Sequence, residues 1–172
     1  MIGDNVTDRI ISQYTDIFDE TQVNNIWEYL TKPNWGFWQS SRPDSKNFFW
    51  YMNLDDHSFF TQELFSKIKT LIGEDFFIEK VYANGQTFGL DGEFHIDDPD
   101  DNAYTFLYYP MRDWNLSWGG ETVILDPEGV ISTIHPMPNS AIIFPSNWLH
   151  CGKSPSKNFT DLRVTIAYKL KK

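Results

Sequence analysis

The chain has 172 residues, a formal net charge of -10 and 17% aromatic residues. That length suits one domain with a buried core, and the acidic balance argues against nucleic-acid binding, which rests on Lys and Arg displacing counterions from phosphates. Cys151, the single cysteine, cannot form an internal disulfide, the N-terminus lacks the basic segment and apolar run of a secretory leader, and no apolar stretch reaches membrane-spanning length, so the expected setting is a reducing cytoplasm without membrane association.

Helices are predicted early in the chain. Asp19-Glu20-Thr21-Gln22 has the pattern of a capping box, and Val23, Ile26, Trp27 and Leu30 follow on one helical face. The stretch 34–51 is rich in Trp, Phe and Ser, and Gly36 and Pro43 interrupt any regular period, so it reads as loops and short strands. Phe60, Leu64, Ile68, Leu71 and Ile72 predict a second helix, with Asp56 or Ser58 as caps and Gly73 as its stop.

Short β-prone runs bounded by Gly, Pro, Asn and Asp follow at 76–83, 104–109, 122–125, 130–134, 141–144 and 163–170. Asp126-Pro127-Glu128-Gly129 has turn chemistry, Pro presetting φ and Gly accepting a positive φ, so its flanking runs should pair as a hairpin. The pattern predicts a mainly β sandwich or jelly roll with N-terminal helices. One domain is expected over 1–172, with helical support and substrate-facing loops in about 1–80 and a β core in about 81–172.

Within the β half, His95 and Asp97 stand two apart, so on an extended strand their side chains share a face and can grip one ion. His150, after the strand-like Ile142-Ile143-Phe144, is placed to deliver a third ligand. Two histidines and one carboxylate form the facial triad of non-haem Fe(II) oxygenases, which leaves positions open for co-substrate and dioxygen. Arg163 and Thr165 alternate onto one strand face, a pairing suited to a carboxylate, which Arg binds through two charge-assisted bonds; a solvated or surface-paired Arg is the structural alternative.

In these residues the chain resembles the Fe(II)- and 2-oxoglutarate-dependent dioxygenases, particularly the prolyl 4-hydroxylase-like branch. The resemblance runs from about Val81 to Leu170 through Tyr82, His95-Ile96-Asp97, Tyr108-Tyr109-Pro110, Asp113-Trp114, Gly119-Gly120-Glu121-Thr122, Pro127-Glu128-Gly129, His150 and Arg163-Val164-Thr165. It implies a double-stranded β-helix of the cupin-like jelly-roll kind. By the same likeness His95, Asp97 and His150 bind Fe(II), and Arg163 holds the distal carboxylate of 2-oxoglutarate with help from Tyr109 and Thr165. Tyr82 lines the co-substrate pocket near the metal, dioxygen is the second co-substrate, and ascorbate is an optional helper. The interval from His150 to Arg163 is longer than in close family members, 154–159 resembling a surface-loop insertion, and Lys169 on the same strand face is the replacement anchor.

His57, His135 and Cys151 receive no metal role, and Pro99 breaks the ligand alternation that a calcium loop would need in the run 97–101. The implied substrate is a prolyl side chain in a peptide or protein, with a free amino acid or other small molecule as the alternative and a non-catalytic metal-binding module as a third reading. Trp38 and Arg42 are candidate substrate contacts, and the acidic rim of Asp98, Asp100 and Asp101 favours a basic partner.

Overall fold

A computed structural model describes residues 10–73 and 75–172. The N-terminal stretch read for a leader therefore lies largely outside the described residues. Among the described residues ten strands fall into two antiparallel sheets. The larger sheet contains β1 (Ser12–Tyr14), β2 (Gly36–Ser40), β3 (Phe48–Asn53), β4 (Phe77–Gln86), β5 (Ala103–Tyr109), β8 (Ser140–Pro145) and β10 (Arg163–Lys171), in the spatial order β1-β8-β5-β10-β4-β3-β2. The smaller contains β6 (Thr122–Leu125), β7 (Ile131–Ile134) and β9 (Leu149–Gly152), in the order β7-β6-β9. This is the double-stranded β-helix expected from the sequence.

Side-chain alternation along the larger sheet decides what goes where. On β10, Val164, Ile166, Tyr168 and Leu170 point into the main core, whereas Arg163, Thr165, Ala167 and Lys169 line a cavity on the other face. On β4, Val81 and Ala83 join the core while Lys80, Tyr82, Asn84 and Gln86 line the cavity. The helices cover the core face. Helix α1 (Glu20–Leu30) starts at the capping box, Asp19 accepting from Gln22 N and Gln22 returning the bond, and buries Ile26 and Leu30. Full burial of each such side chain contributes about 1.5–3 kcal/mol.

The second helix begins differently from the prediction. Neither Asp56 nor Ser58 caps it through its side chain; Asp56 accepts a bond from Asn53 instead. The segment opens as a π-helical turn (Phe59–Leu64) that buries Phe60 and Leu64, and continues as α2 (Phe65–Ile72) up to Gly73, whose φ is 116°. The hairpin between β6 and β7 forms as expected: Asp126 Oδ1 accepts from the backbone N–H groups of Glu128 and Val130, and Gly129 has a φ of 86°.

The presumed surface-loop insertion is pinned. Phe159 is buried between Trp114 and Trp118, with ring centroids 4.8 and 4.9 Å away, and Ser156 N donates to Trp118 O at 2.6 Å. Among the described residues no helix is long and apolar enough to cross a membrane.

Candidate active site

The three triad residues converge from two segments. His95 lies in the β4–β5 connection and His150 on β9; the two pair as an isolated bridge, His95 N donating to His150 O at 3.0 Å and His150 N to His95 O at 2.9 Å. Asp97 is fixed by its own N–H, which donates to Ser146 O at 2.8 Å. Their ligand atoms all lie within 4.8 Å of one another. Asp97 Oδ1 is 3.3 Å from His95 Nε2, and Asp97 Oδ2 is 3.2 Å from His150 Nε2.

Each imidazole is oriented by the backbone two residues before it. His95 Nδ1 lies 2.9 Å from Glu93 O and His150 Nδ1 lies 2.8 Å from Trp148 O. A carbonyl can only accept, so Nδ1–H is the donor in both rings and Nε2 is the nitrogen that faces Asp97. Asp97 is supported in turn by Thr105, whose hydroxyl donates to Oδ2 at 2.6 Å, and by Lys169 Nζ, which donates to the same oxygen. Burial alone would raise the Asp97 carboxyl, but the Lys169 ammonium and then His150 and His95 hold it well below the usual carboxylate range. Two available imidazole nitrogens and an ionised carboxylate fit a divalent transition metal such as Fe(II).

A cavity of about 520 Å³ runs from this cluster between the sheets. Cross-strand pairs order its floor: Arg163 opposite Gln86, Thr165 opposite Asn84, Ala167 opposite Tyr82 and Lys169 opposite Lys80. Arg163 is only 1% exposed, and no carboxylate lies within ion-pair reach of it among the described residues. Its Nε–H donates to Gly120 O at 2.6 Å, NH1 to Gln86 Oε1 at 2.8 Å and NH2 to Thr122 Oγ1 at 3.4 Å. Burial lowers its pKa to about 10, so it remains a cation at neutral pH. Three of five guanidinium N–H donors are used, all on neutral acceptors, which leaves charge and donors for an incoming anion.

Gly120 makes this arrangement possible. Its φ is 75°, and a Cβ there would come within 2.8 Å of the Trp114 ring and 3.1 Å of Arg163 Cδ. Thr165 lines the cavity beside Arg163. Tyr109 does not reach the cavity wall: it is buried behind Thr122, donating its phenol to Thr122 Oγ1 at 2.8 Å. Tyr82 lies at the metal end, its ring centroid 5.6 Å from Lys169 Nζ. Lys169 is six positions along the strand from Arg163, about 20 Å of backbone.

Trp38 is 64% exposed and lies outside the cavity lining, while Arg42 pairs with Glu93 at 3.2 Å and Asp44 at 3.4 Å. Of the rim acids, Asp98 and Asp100 both reach Lys171 at 3.4 Å, and Asp101 accepts from Asn147 at 2.9 Å. Gln86, Thr105, Ser146 and Asn84 escaped the sequence reading; alternation from Tyr82 through Asn84 to Gln86 was the signal for two of them.

Residues 80–168 match the family model of the 2OG-Fe(II) oxygenase superfamily. No curated protein matches the chain in sequence. Among solved structures it is similar to a Trichoplax adhaerens prolyl hydroxylase bound to a fragment of the oxygen degradation domain of hypoxia inducible factor, at 19% identity and a TM-score of 0.69 over 95% of this chain and 84% of that one. A Pseudomonas putida prolyl-4-hydroxylase matches at 14% identity and 0.70 over 98% and 96%. The α-ketoglutarate-dependent epimerase SnoN of nogalamycin biosynthesis matches at 12% and 0.68 over 93% and 76%. With the family match covering more than half of its length, the chain belongs to the 2OG-Fe(II) oxygenases, enzymes that use Fe(II) and 2-oxoglutarate.

Proposed function

We propose that this oxygenase hydroxylates an unactivated C–H bond, with His95, Asp97 and His150 holding Fe(II) and Arg163 holding the distal carboxylate of 2-oxoglutarate. The observation that carries the reading is a metal-ligand triad sharing one cavity with a buried guanidinium that has no acid partner. Fe(II), with 2-oxoglutarate and dioxygen, supplies the oxidising chemistry: one oxygen atom enters the substrate C–H bond, the other enters succinate, and carbon dioxide leaves.

The chain's part is to orient and to exclude water. In this reading Thr165 adds a hydroxyl beside the distal carboxylate, and Tyr109 acts at one remove by fixing Thr122. Asn84, whose Oδ1 is buried without a hydrogen-bond partner, offers another polar contact along the floor. Tyr82 borders the metal end. A five-carbon diacid held at Arg163 reaches toward the triad, so the co-substrate is aligned by residues of a single strand pair.

A prolyl side chain in a peptide is the first substrate reading, supported by likeness to two prolyl hydroxylases. A small molecule is the second, favoured by the charged, polar lining of a cavity of ordinary small-ligand size. The rim's pull on a basic peptide is weaker than its acids alone imply, because Asp98 and Asp100 share Lys171. The test is succinate formation by purified protein given Fe(II) and 2-oxoglutarate, with product mass rising by about 16 Da for one oxygen atom. His95→Ala, Asp97→Ala and His150→Ala should each bring turnover to background, and full activity in any of them removes that ligand. A proline peptide and free amino acids assayed side by side separate the two substrate readings.

A further inference from the structure

The metal end of the ladder holds a feature that co-substrate binding leaves unused. Lys80 and Lys169 are direct cross-strand partners on the cavity face, and like charges so placed repel. Only Lys169 has an acid, Asp97, and that acid belongs to the metal triad. Lys80 has no carboxylate within ion-pair reach among the described residues; its ammonium lies 5.3 Å from the Tyr82 ring centroid and 5.6 Å from that of Tyr51. The nearby acids turn toward Lys171 instead, Glu79 reaching it at 3.2 Å and Asp98 and Asp100 at 3.4 Å. Two ammonium groups thus flank one aromatic ring in the cavity that holds the triad, and only one of them touches a carboxylate.

Arg163 does not explain them, since about 20 Å of strand separates it from Lys169 and a five-carbon diacid anchored there has no second free carboxylate to offer. We infer that Lys80 and Lys169, against Tyr51 and Tyr82, form an anion subsite that holds a carboxylate of the primary substrate beside the metal. This rests on the oxygenase reading above and narrows it to acidic substrates. The carboxylate is either that of a free acid or an acidic side chain next to the hydroxylated residue of a peptide; the chemistry of recognition is the same.

Calorimetric titration of the full chain loaded with Mn(II) and 2-oxoglutarate tests this without turnover. One set of probes pairs N-acetyl amino acids with their amides, and a second pairs proline tetrapeptide amides carrying Asp or Asn after the proline. An acid member should bind about tenfold more tightly than its neutral twin, as one charge-assisted contact implies. Preference in the first set identifies a free acid, and preference in the second an acidic side chain. Lys80→Gln and Lys169→Gln should each bring the ratio toward one, whereas Lys153→Gln should not; Lys80 is exposed, so its variant serves even if loss of Lys169 disturbs Asp97. No preference in either set, or a preference surviving in Lys80→Gln, overturns the subsite. Loss of 2-oxoglutarate binding in Lys80→Gln also overturns it, by giving the lysines to the co-substrate. Absence of 2-oxoglutarate binding to the unaltered chain would instead sink the oxygenase reading itself.

Discussion

At one end of the cavity floor Arg163 is enclosed by a carbonyl, an amide and a hydroxyl, whereas at the other Lys169 lies directly against the carboxylate of Asp97. Both are cations on the same face of one strand, but their surroundings give them different work. A guanidinium among neutral dipoles is held in place while its charge stays uncompensated, so it remains ready for an anion from outside. An ammonium against an acid first stabilises that acid in its ionised form, the state in which a carboxylate ligates a metal.

Replacing Arg163 should break the contrast most severely. Arg163→Ala is expected to weaken 2-oxoglutarate by roughly 2–5 kcal/mol, on the order of thirty- to several-thousand-fold, while leaving metal affinity close to that of the unaltered chain. Titration of both ligands checks this, and a large loss of 2-oxoglutarate in Lys169→Ala beside an unaffected Arg163→Ala would move the anchor to Lys169. The charge has a pH limit as well. Because burial lowers Arg163 to about 10, its charge is fully present below that value and is lost as pH rises through it. Affinity for 2-oxoglutarate should hold level to about pH 9 and fall beyond.

A smaller effect is expected at the other end. Thr105→Val removes the hydroxyl that donates to Asp97 Oδ2 and keeps the side-chain shape, so metal affinity should drop about 10–100-fold with 2-oxoglutarate affinity changed less. Competition for Mn(II) against a chelating dye measures it; an unchanged metal affinity would mean that Lys169 is the only side-chain donor that matters to Asp97 Oδ2. The smallest effect belongs to Tyr109→Phe, which removes one neutral hydrogen bond to Thr122 and should cost about 0.5–1.5 kcal/mol in 2-oxoglutarate binding. A loss as large as that of Arg163→Ala would place the phenol in direct contact with the ligand.

That His95, Asp97 and His150 come together, with Arg163 on the same cavity, was legible in the sequence because strand periodicity puts alternate residues on one face and because the motifs follow the order of the family the chain resembles. The partner of Arg163 was not. The predicted strand stopped at Ala83, since Asn84-Gly85 reads locally as a turn, yet β4 continues to Gln86. Gly85 is there for packing: a Cβ would come within 2.6 Å of Leu162. Strand β9 is not among the β-prone runs, although His150 reads as a ligand brought by a distant strand, because its four residues gain their extended shape from pairing with β6. The π-helical opening of the second helix was not legible either, since Phe60 and Leu64 stand four apart, the spacing of an ordinary α-helical face.

The segment between His150 and Arg163 carries a consequence for variation. Phe159 is clasped by Trp114 and Trp118, and Trp114 Nε1 donates at 3.1 Å to Gly119 O, next to the glycine whose carbonyl holds Arg163. The loop is thereby tied down just before the strand on which Arg163 stands. The residues between Cys151 and Phe159 are bound as well, Lys153 N donating to Glu121 O and Ser156 N to Trp118 O, so the interval between His150 and Arg163 is a tether that fixes where the Arg163 strand begins, and a change in its length would have to keep those anchors.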